Sequence, residues 1–220
     1  YKEYEYDSTH DRFEPVADTP DKKVSSSGRW SGDYLNYLTM TRMDCLRKVL
    51  YGGKRSTDTD TETVLERAFV PQDAHSWGKE YKSISEDGYD IADYTPFREP
   101  SSGNRHLFAN TTRNSENDPP KMFVALNSSN RIWEWVAKEY PVVDNSVTVD
   151  HTYEVYVQVG VVDGDMKPRE KRFKKYPNGT YKPVGLLQRF GENDSIYFGL
   201  ITGTYENNMS GGVLRKNIGS

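Results

Sequence analysis

A mixed fold, α/β to α+β, is what this sequence predicts, and three stretches predict it. WSGDYLNYLTMTRMDCLRKVLYGGKRS (30–56) carries helical periodicity between a Ser-Gly start and a Gly-Gly end. HTYEVYVQVGVV (151–162) alternates as a strand does, and SIYFGLIT (195–202) is apolar on both of its faces. Between the helix and the last strand lies a span of well over a hundred residues, far more than a helix–strand connection needs. So long and irregular a stretch is expected to be a functional loop or an insertion.

Taken in order, residues 1–29 open with Tyr4, Tyr6 and Phe13 among polar residues and pass into a Pro/Asp/Ser stretch. They read as a short extended piece followed by a loop. In 30–56, Leu35, Leu38, Met43, Leu46, Val49 and Leu50 share an arc of roughly 140° at ~100° per residue, opposite Asp44, Arg47 and Lys48. Ser31 is placed to cap the first turn, and Gly52 and Gly53 to end the helix in left-handed backbone. Thr39 and Arg42 interrupt the arc, so either the first turn is separate or Arg42 is buried against a partner.

DTDTETVLERAFVP (58–71) reads as a second helix, begun by a Thr59–Glu62 capping box and stopped by Pro71. A calcium loop at Asp58, Asp60 and Glu62 is disfavoured, because the glycine and distal glutamate of an EF-hand are missing. Residues 72–128 keep no sustained period. NRIWEWVAKEY (130–140) reads as a short helix with Ile132, Trp133, Val136 and Tyr140 on one side. In 151–162, Tyr153, Val155, Val157, Val159 and Val161 line one strand face. Asn178-Gly179 marks a hairpin turn, VGLLQRFG (184–191) a two-turn helix, and 195–202 a strand buried on both sides of a sheet.

Composition narrows the function. The net charge is −4, which does not carry the basic footprint of a nucleic-acid binder. KPREKRFKK (167–175) reads as a solvated strand. Aromatic residues make up 13% of the chain, 16 of them Tyr, so tyrosines must supply much of the burial. The single cysteine, Cys45, excludes an internal disulfide and is expected as a small packed thiol on a helix flank. No apolar run approaches the ~18 residues of a membrane span. No signal-peptide pattern opens the chain and VLRKNIGS carries no terminal signal, so a piece of a longer polypeptide is expected.

Catalytic motifs are missing: there is no HExxH, glycine-rich phosphate loop or GxSxG, and an enzyme is not expected. Asp73, His75 and Glu80 could ligate a metal, but their spacing better suits a structural loop around Trp77. DNSVT (144–148) matches the Asp-x-Ser-x-Ser/Thr pattern of an adhesion-type metal site at Asp144 and Ser146, yet a strand follows where a helix is required. No metal ligand and no cofactor is assigned. Exposed Tyr and Trp in irregular segments provide contact area at little entropic cost, which makes Trp133, Trp135, Tyr89 and Tyr94 the contact candidates. The opposing reading for these residues is core packing. Trp133 and Trp135 point to opposite sides of one helix, so one of them should be exposed.

Residues 30–81, YPNGTYKPVGLLQRFGENDSIYFGLITGTY (176–205) and MSGGVLRKNIGS (209–220) together resemble the type IV pilus tip-associated adhesins of the PilY/PilC type. YKEYEYDSTHDRFEPV (1–16) resembles the family's segment ahead of the helix, and the resemblance fades between about 83 and 150. It implies a partial von Willebrand factor A-like domain, with 1–53 and 184–220 in the core and 54–183 as an inserted module. It implies a pilus tip adhesin and assembly protein, extracellular at the bacterial surface. Its partners would be minor pilins, a host or abiotic surface, and the remainder of its own polypeptide. A scaffold that only docks pilins or another domain is the alternative. The family's metal site and propeller have no matching residues here. The cysteines that many members carry near 151–162 are also absent, Gly160 standing in that strand. The Asn-x-Ser/Thr sequons at Asn110, Asn127, Asn178, Asn193 and Asn208 read as chance products of a polar composition.

Overall fold

A computed structural model describes residues 1–71, 77–111, 117–136, 147–162, 172–203 and 212–218. Asp73, His75, Tyr140, Asp144, Ser146 and Asn208 lie outside the described residues. The amino-terminal residues form a hairpin, β1 (Lys2–Asp7) against β2 (Arg12–Asp18), with β3 (Trp30–Ser31) on the other edge of β1. Then come α1 (Gly32–Thr39), α2 (Arg42–Tyr51), β4 (Arg55–Asp58) and β5 (Thr63–Glu66). The middle of the chain holds β6 (Trp77–Tyr81), α3 (Ile84–Asp87), a 3-10 turn (Ile91–Asp93), β7 (Arg105–Thr111), β8 (Lys121–Ser128) and α4 (Ile132–Val136). After β9 (His151–Glu154) and β10 (Tyr156–Val162) follow β11 (Phe173–Lys175), β12 (Thr180–Pro183), α5 (Leu186–Gly191), β13 (Phe198–Gly203) and β14 (Gly212–Ile218).

The architecture is α+β. An eight-stranded sheet runs β11-β12-β10-β2-β1-β3, with β5 also paired to β10 and β4 to β5. The β10–β2 pairing is parallel and the other pairings are antiparallel. A second sheet runs β6-β7-β8-β9, and β13 pairs with β14.

Period-two alternation puts the four-stranded sheet between two cores. Phe108, Met122 and Val124 point into a cluster with Tyr4, Phe13, Trp30, Leu35, Leu38 and Tyr81. Their neighbours Leu107, Ala109, Phe123 and Ala125 point the other way, onto Trp135, Val136 and Val147. Trp30 anchors the larger cluster, meeting Phe97 and Tyr153 edge-on at 5.4 Å each and Phe13 at 5.9 Å. Such pairs add about 0.5–1.5 kcal/mol beyond their buried area. Tyrosine-rich packing is borne out.

The region read as one helix is two, so of the alternatives left by Thr39 and Arg42 the separate first segment holds, and Arg42 is exposed. Ser31 caps α1 as expected, its Oγ accepting from Tyr34 N–H at 3.4 Å. The chain breaks at Met40 because Thr41 starts a new capping box: Thr41 Oγ1 accepts from Asp44 N–H (3.1 Å), and Asp44 Oδ2 accepts from Thr41 N–H (2.9 Å). Gly52 ends α2 in left-handed backbone, as predicted. The single apolar arc is overturned too. Leu35 and Leu38 are buried, whereas Met43, Leu46 and Val49 are 49%, 51% and 57% exposed. Cys45 is exposed rather than packed.

Residues 58–71 hold the end of β4, a turn, β5 and a loop in place of the predicted helix. Thr59 and Glu62 close a hairpin instead of capping: Thr59 N–H donates to the Glu62 carbonyl (2.8 Å) and Glu62 N–H to Thr59 Oγ1 (3.1 Å). Thr63 and Val64 are buried on β5, and β10 supplies their strand partner, so tertiary pairing overrides the local signal. The acidic residues serve long-range ion pairs, Asp58 with Lys182 (2.6 Å) and Glu62 with Arg12 (2.6 Å). The aperiodic 72–128 contains β6, β7 and β8, with α3 and the 3-10 turn between β6 and β7. The strand predicted over 151–162 splits at Val155, whose N–H donates to the Pro120 carbonyl (2.8 Å) and whose carbonyl accepts from Arg67 N–H (3.3 Å). Its halves join different sheets.

The hairpin at Asn178-Gly179 and the helix at 184–191 form as predicted. The strand at 195–202 forms as β13, but Leu200 on it and Ile196 and Tyr197 before it are exposed, in place of burial on both sides. Among the described residues, no helix is long and apolar enough to cross a membrane.

Candidate interaction surface

Helix α4 decides which tryptophan faces out. It lies against β6 and β7, where Gly78 leaves room for Ile132. Glu80 Oε2 accepts the N–H of Ile132 (3.1 Å) and pairs with Arg105 (3.5 Å), so this carboxylate anchors the start of the helix. Seated in this way, α4 turns Trp135 and Val136 inward and Trp133 outward: Trp135 is 0% exposed and Trp133 57%. The predicted side of Ile132, Trp133 and Val136 is thereby corrected, since Trp133 leaves the other two. Trp135 Nε1 has no hydrogen-bond partner among the described residues.

Tyr89 and Tyr94 are half-buried, packed against the larger core. The hydroxyls of Tyr34 and Tyr89 lie 2.9 Å apart, Tyr81 donates to the Tyr89 carbonyl (2.9 Å), and Tyr94 stacks on Tyr34 at 5.4 Å. Burial, reinforced by the Tyr89 hydroxyl, pushes the Tyr34 phenol well above its usual range, so it stays a neutral donor or acceptor. These rings knit α1 to the 3-10 turn, with edges at the surface.

Two neighbouring groups were not among the predicted contacts. Tyr37, one turn past Tyr34 on α1, is half exposed, and the Lys79 ammonium sits 4.6 Å above its ring. The same ammonium lies 5.6 Å from the ring of Trp77 on β6. An exposed cation–aromatic cluster of this kind presents flat apolar area and a positive charge together. Tyr37 fell in a helix read for its aliphatic arc, and its pairing with Lys79 depends on the register of β6 beside α1. No sequence signal marks that.

Elsewhere, Asp7, His10 and Glu14 bring three potential ligand atoms together where the β1–β2 hairpin turns. Each already takes part in a hydrogen bond or ion pair. His10 hydrogen-bonds Asp7, and Glu14 Oε1 accepts from Arg12 Nε at 2.8 Å while Arg12 also holds Glu62. The His10 hydrogen bond, with the Thr9 N–H, holds the Asp7 carboxyl down to about 2. A cavity of about 530 Å³ lies beneath α1, lined by Leu35, Met40, Arg67 and Val157 among others. Arg67 donates there to Thr39 Oγ1 (3.1 Å) and Asn36 Oδ1 (2.6 Å), placing its charge at the negative end of α1. The Asn110 side chain is buried and donates to the Leu38 carbonyl, so that sequon is closed in the folded chain.

Comparison with known proteins gives this surface its context. A family profile described as "PilY1 homolog, small alpha/beta domain" matches residues 1–126, and one described as "PilY1 homolog, second domain" matches residues 198–220. A protein of Xylella fastidiosa named type IV pilus biogenesis factor PilY1 homolog is 48% identical over 208 residues, which cover 87% of this chain and 14% of that protein. A second protein of that name and organism is 29% identical over 175 residues, 76% of this chain and 13% of its own length. The chain thus spans about a seventh of the relatives it matches. No solved structure matches it. With more than half its length matched by the small α/β domain profile, the chain belongs to the family of PilY1 homologs.

Proposed function

We propose that this chain acts in type IV pilus biogenesis as part of a pilus tip adhesin, and that it binds rather than catalyses. The observation that carries the reading is its membership of a family whose matched relatives are named pilus biogenesis factors. Attachment to a host or abiotic surface is the finer part of the proposal, and the exposed Trp133 supports it, with Tyr37 and Lys79 as a second contact cluster. The edges of Tyr89 and Tyr94 contribute, while Trp135 holds α4, and with it Trp133, against the smaller core on the other face of the sheet. Minor pilins and other parts of the same polypeptide are the assembly partners, and the site of action is extracellular, at the pilus tip. In this reading the first domain is von Willebrand factor A-like, the strands of 54–183 share a sheet with those of 1–53, and the second domain begins at Phe198.

Trp133→Ala in a piliated bacterium tests the adhesive part. Expected is weaker surface attachment with pilus number unchanged by electron microscopy. Unchanged attachment removes Trp133 from the contact surface. Loss of pili instead assigns this face to assembly, which is the scaffold alternative.

A further inference from the structure

Helix α2 is inside out, and the cause is local. Asp44 is buried, and its two oxygens accept from Thr41 N–H, Thr41 Oγ1 and Ala68 N–H, the last at 2.8 Å. Those bonds hold the Asp44 side of α2 against the end of β5. The opposite side, with Met43, Leu46 and Val49, therefore faces solvent. Helix α5 packs beside α2. A Cβ at Gly185 would overlap the backbone of Leu50 and Tyr51, and Gln188 Nε2 donates to the Tyr51 carbonyl (3.0 Å). Leu186 and Phe190 on α5 are exposed as well. The Ile196 N–H donates to the Phe190 carbonyl (2.9 Å) and the chain runs on through Tyr197 to Leu200, again exposed. Scattered apolar residues at a surface are ordinary, but a run of this extent marks an interface.

Three observations name its occupant. The second-domain profile begins at Phe198, the first residue of β13, so that domain starts within the last part of the apolar run. Among the described residues β13 pairs with β14 alone, and a two-stranded hairpin is marginal in water without further strands or a covering layer. The matched relatives are about seven times longer than the stretch they share with this chain, ample to supply that layer. We infer that the α2–α5 face is the seat of the second domain, whose remaining strands extend the β13–β14 sheet and pack on Met43, Leu46, Val49, Leu186 and Phe190. The inference goes beyond the adhesive role and stands without it.

Cys45, exposed on the flank of this face and the chain's single cysteine, is the probe. The test uses a polypeptide carrying residues 1–220 together with a complete second domain. Alkylation of Cys45 by N-ethylmaleimide is followed by peptide mass spectrometry, against a reference thiol from Ser102→Cys on an exposed turn. Cys45 is expected to react at least ~10-fold more slowly than the reference in the monomer, as a site that must open before it reacts. Leu46→Asp is expected to restore the fast rate. Should that variant fail to fold, Phe190→Ser on α5 gives the same readout. Equal rates at the two thiols would overturn the inference. Protection that appears only as protein concentration rises, or only on adding a separate pilus protein, would overturn it too, assigning the face to a second copy or to a subunit in trans.

Discussion

Helices α1 and α2 follow one another in the chain, each begun by a hydroxyl cap, yet they use their apolar residues in opposite ways. In α1, Leu35 and Leu38 enter the main core with Tyr34, and the solvent side carries Tyr37. In α2 the buried residue is Asp44, and the aliphatic side chains stand outside. An amphipathic pattern states that a helix has a face to bury, while the neighbours decide what covers it. Here one polar anchor, the Ala68 N–H held by Asp44, outweighs the aliphatic face as long as nothing apolar lies beneath α2.

The sharpest test of this contrast is a matched truncation. Leu38→Ala, at a fully buried position, should lower stability by about 3 kcal/mol, and Leu46→Ala in the 220-residue chain by less than about 0.5 kcal/mol. Urea unfolding of both variants reads the difference directly. Asp44→Ala should rank next, at about 2–3 kcal/mol, because it removes a cap and strands the Ala68 N–H. If Asp44 is the anchor, hydrogen exchange in α2 should rise far more than in α1.

A smaller effect distinguishes the core of α1 from the surface of α2 by pH. His106, buried beside Tyr81 and Phe97, has its Nδ1 accepting from Asn127 N–H (3.2 Å) and its Nε2 donating to the Arg98 carbonyl (2.7 Å). Burial holds its pKa below the ordinary value. The unfolded chain takes up this proton near pH 6.5 and the folded chain only at lower pH. Stability should thus be unaffected by this group above about pH 6.5 and fall below it until the folded pKa is passed. Unfolding free energies between pH 7.5 and 5 check this, and His106→Gln should flatten that part of the slope. Smallest is Trp133→Ala, which should leave the melting temperature within about 1 °C, as expected for an exposed side chain.

The sequence was most legible where one residue type satisfies one geometry. Asn178-Gly179 could only turn, and Gly179 does adopt positive φ. Ser31 and Gly52 bounded the helical region for the same reason. Legibility failed where one pattern serves two geometries. Thr59-x-x-Glu62 closes a hairpin as readily as it caps a helix, and only the arrival of β10 beside β5 decides. At the surface, opposite placement of Trp133 and Trp135 followed from helix geometry, but which of them is buried followed from where Gly78 and Glu80 seat α4. The Tyr37–Lys79 pair was invisible because its two members come from elements with no local relation in the chain.

The central strand β10 has a consequence for the order in which the molecule can assemble. It is the parallel partner of β2, and near its start the Glu154 N–H reaches the Tyr6 hydroxyl across a sequence separation of 148 residues. Lys182 on β12 reaches Asp58 across a separation of 124 residues. A chain emerging from its amino terminus makes β1 and β2 first and must hold Phe13 uncovered until β10 has been made. Folding dominated by such distant pairings is slow, because loop closure precedes its reward. A nascent chain of this kind completes its large sheet only when β10 to β12 have been made.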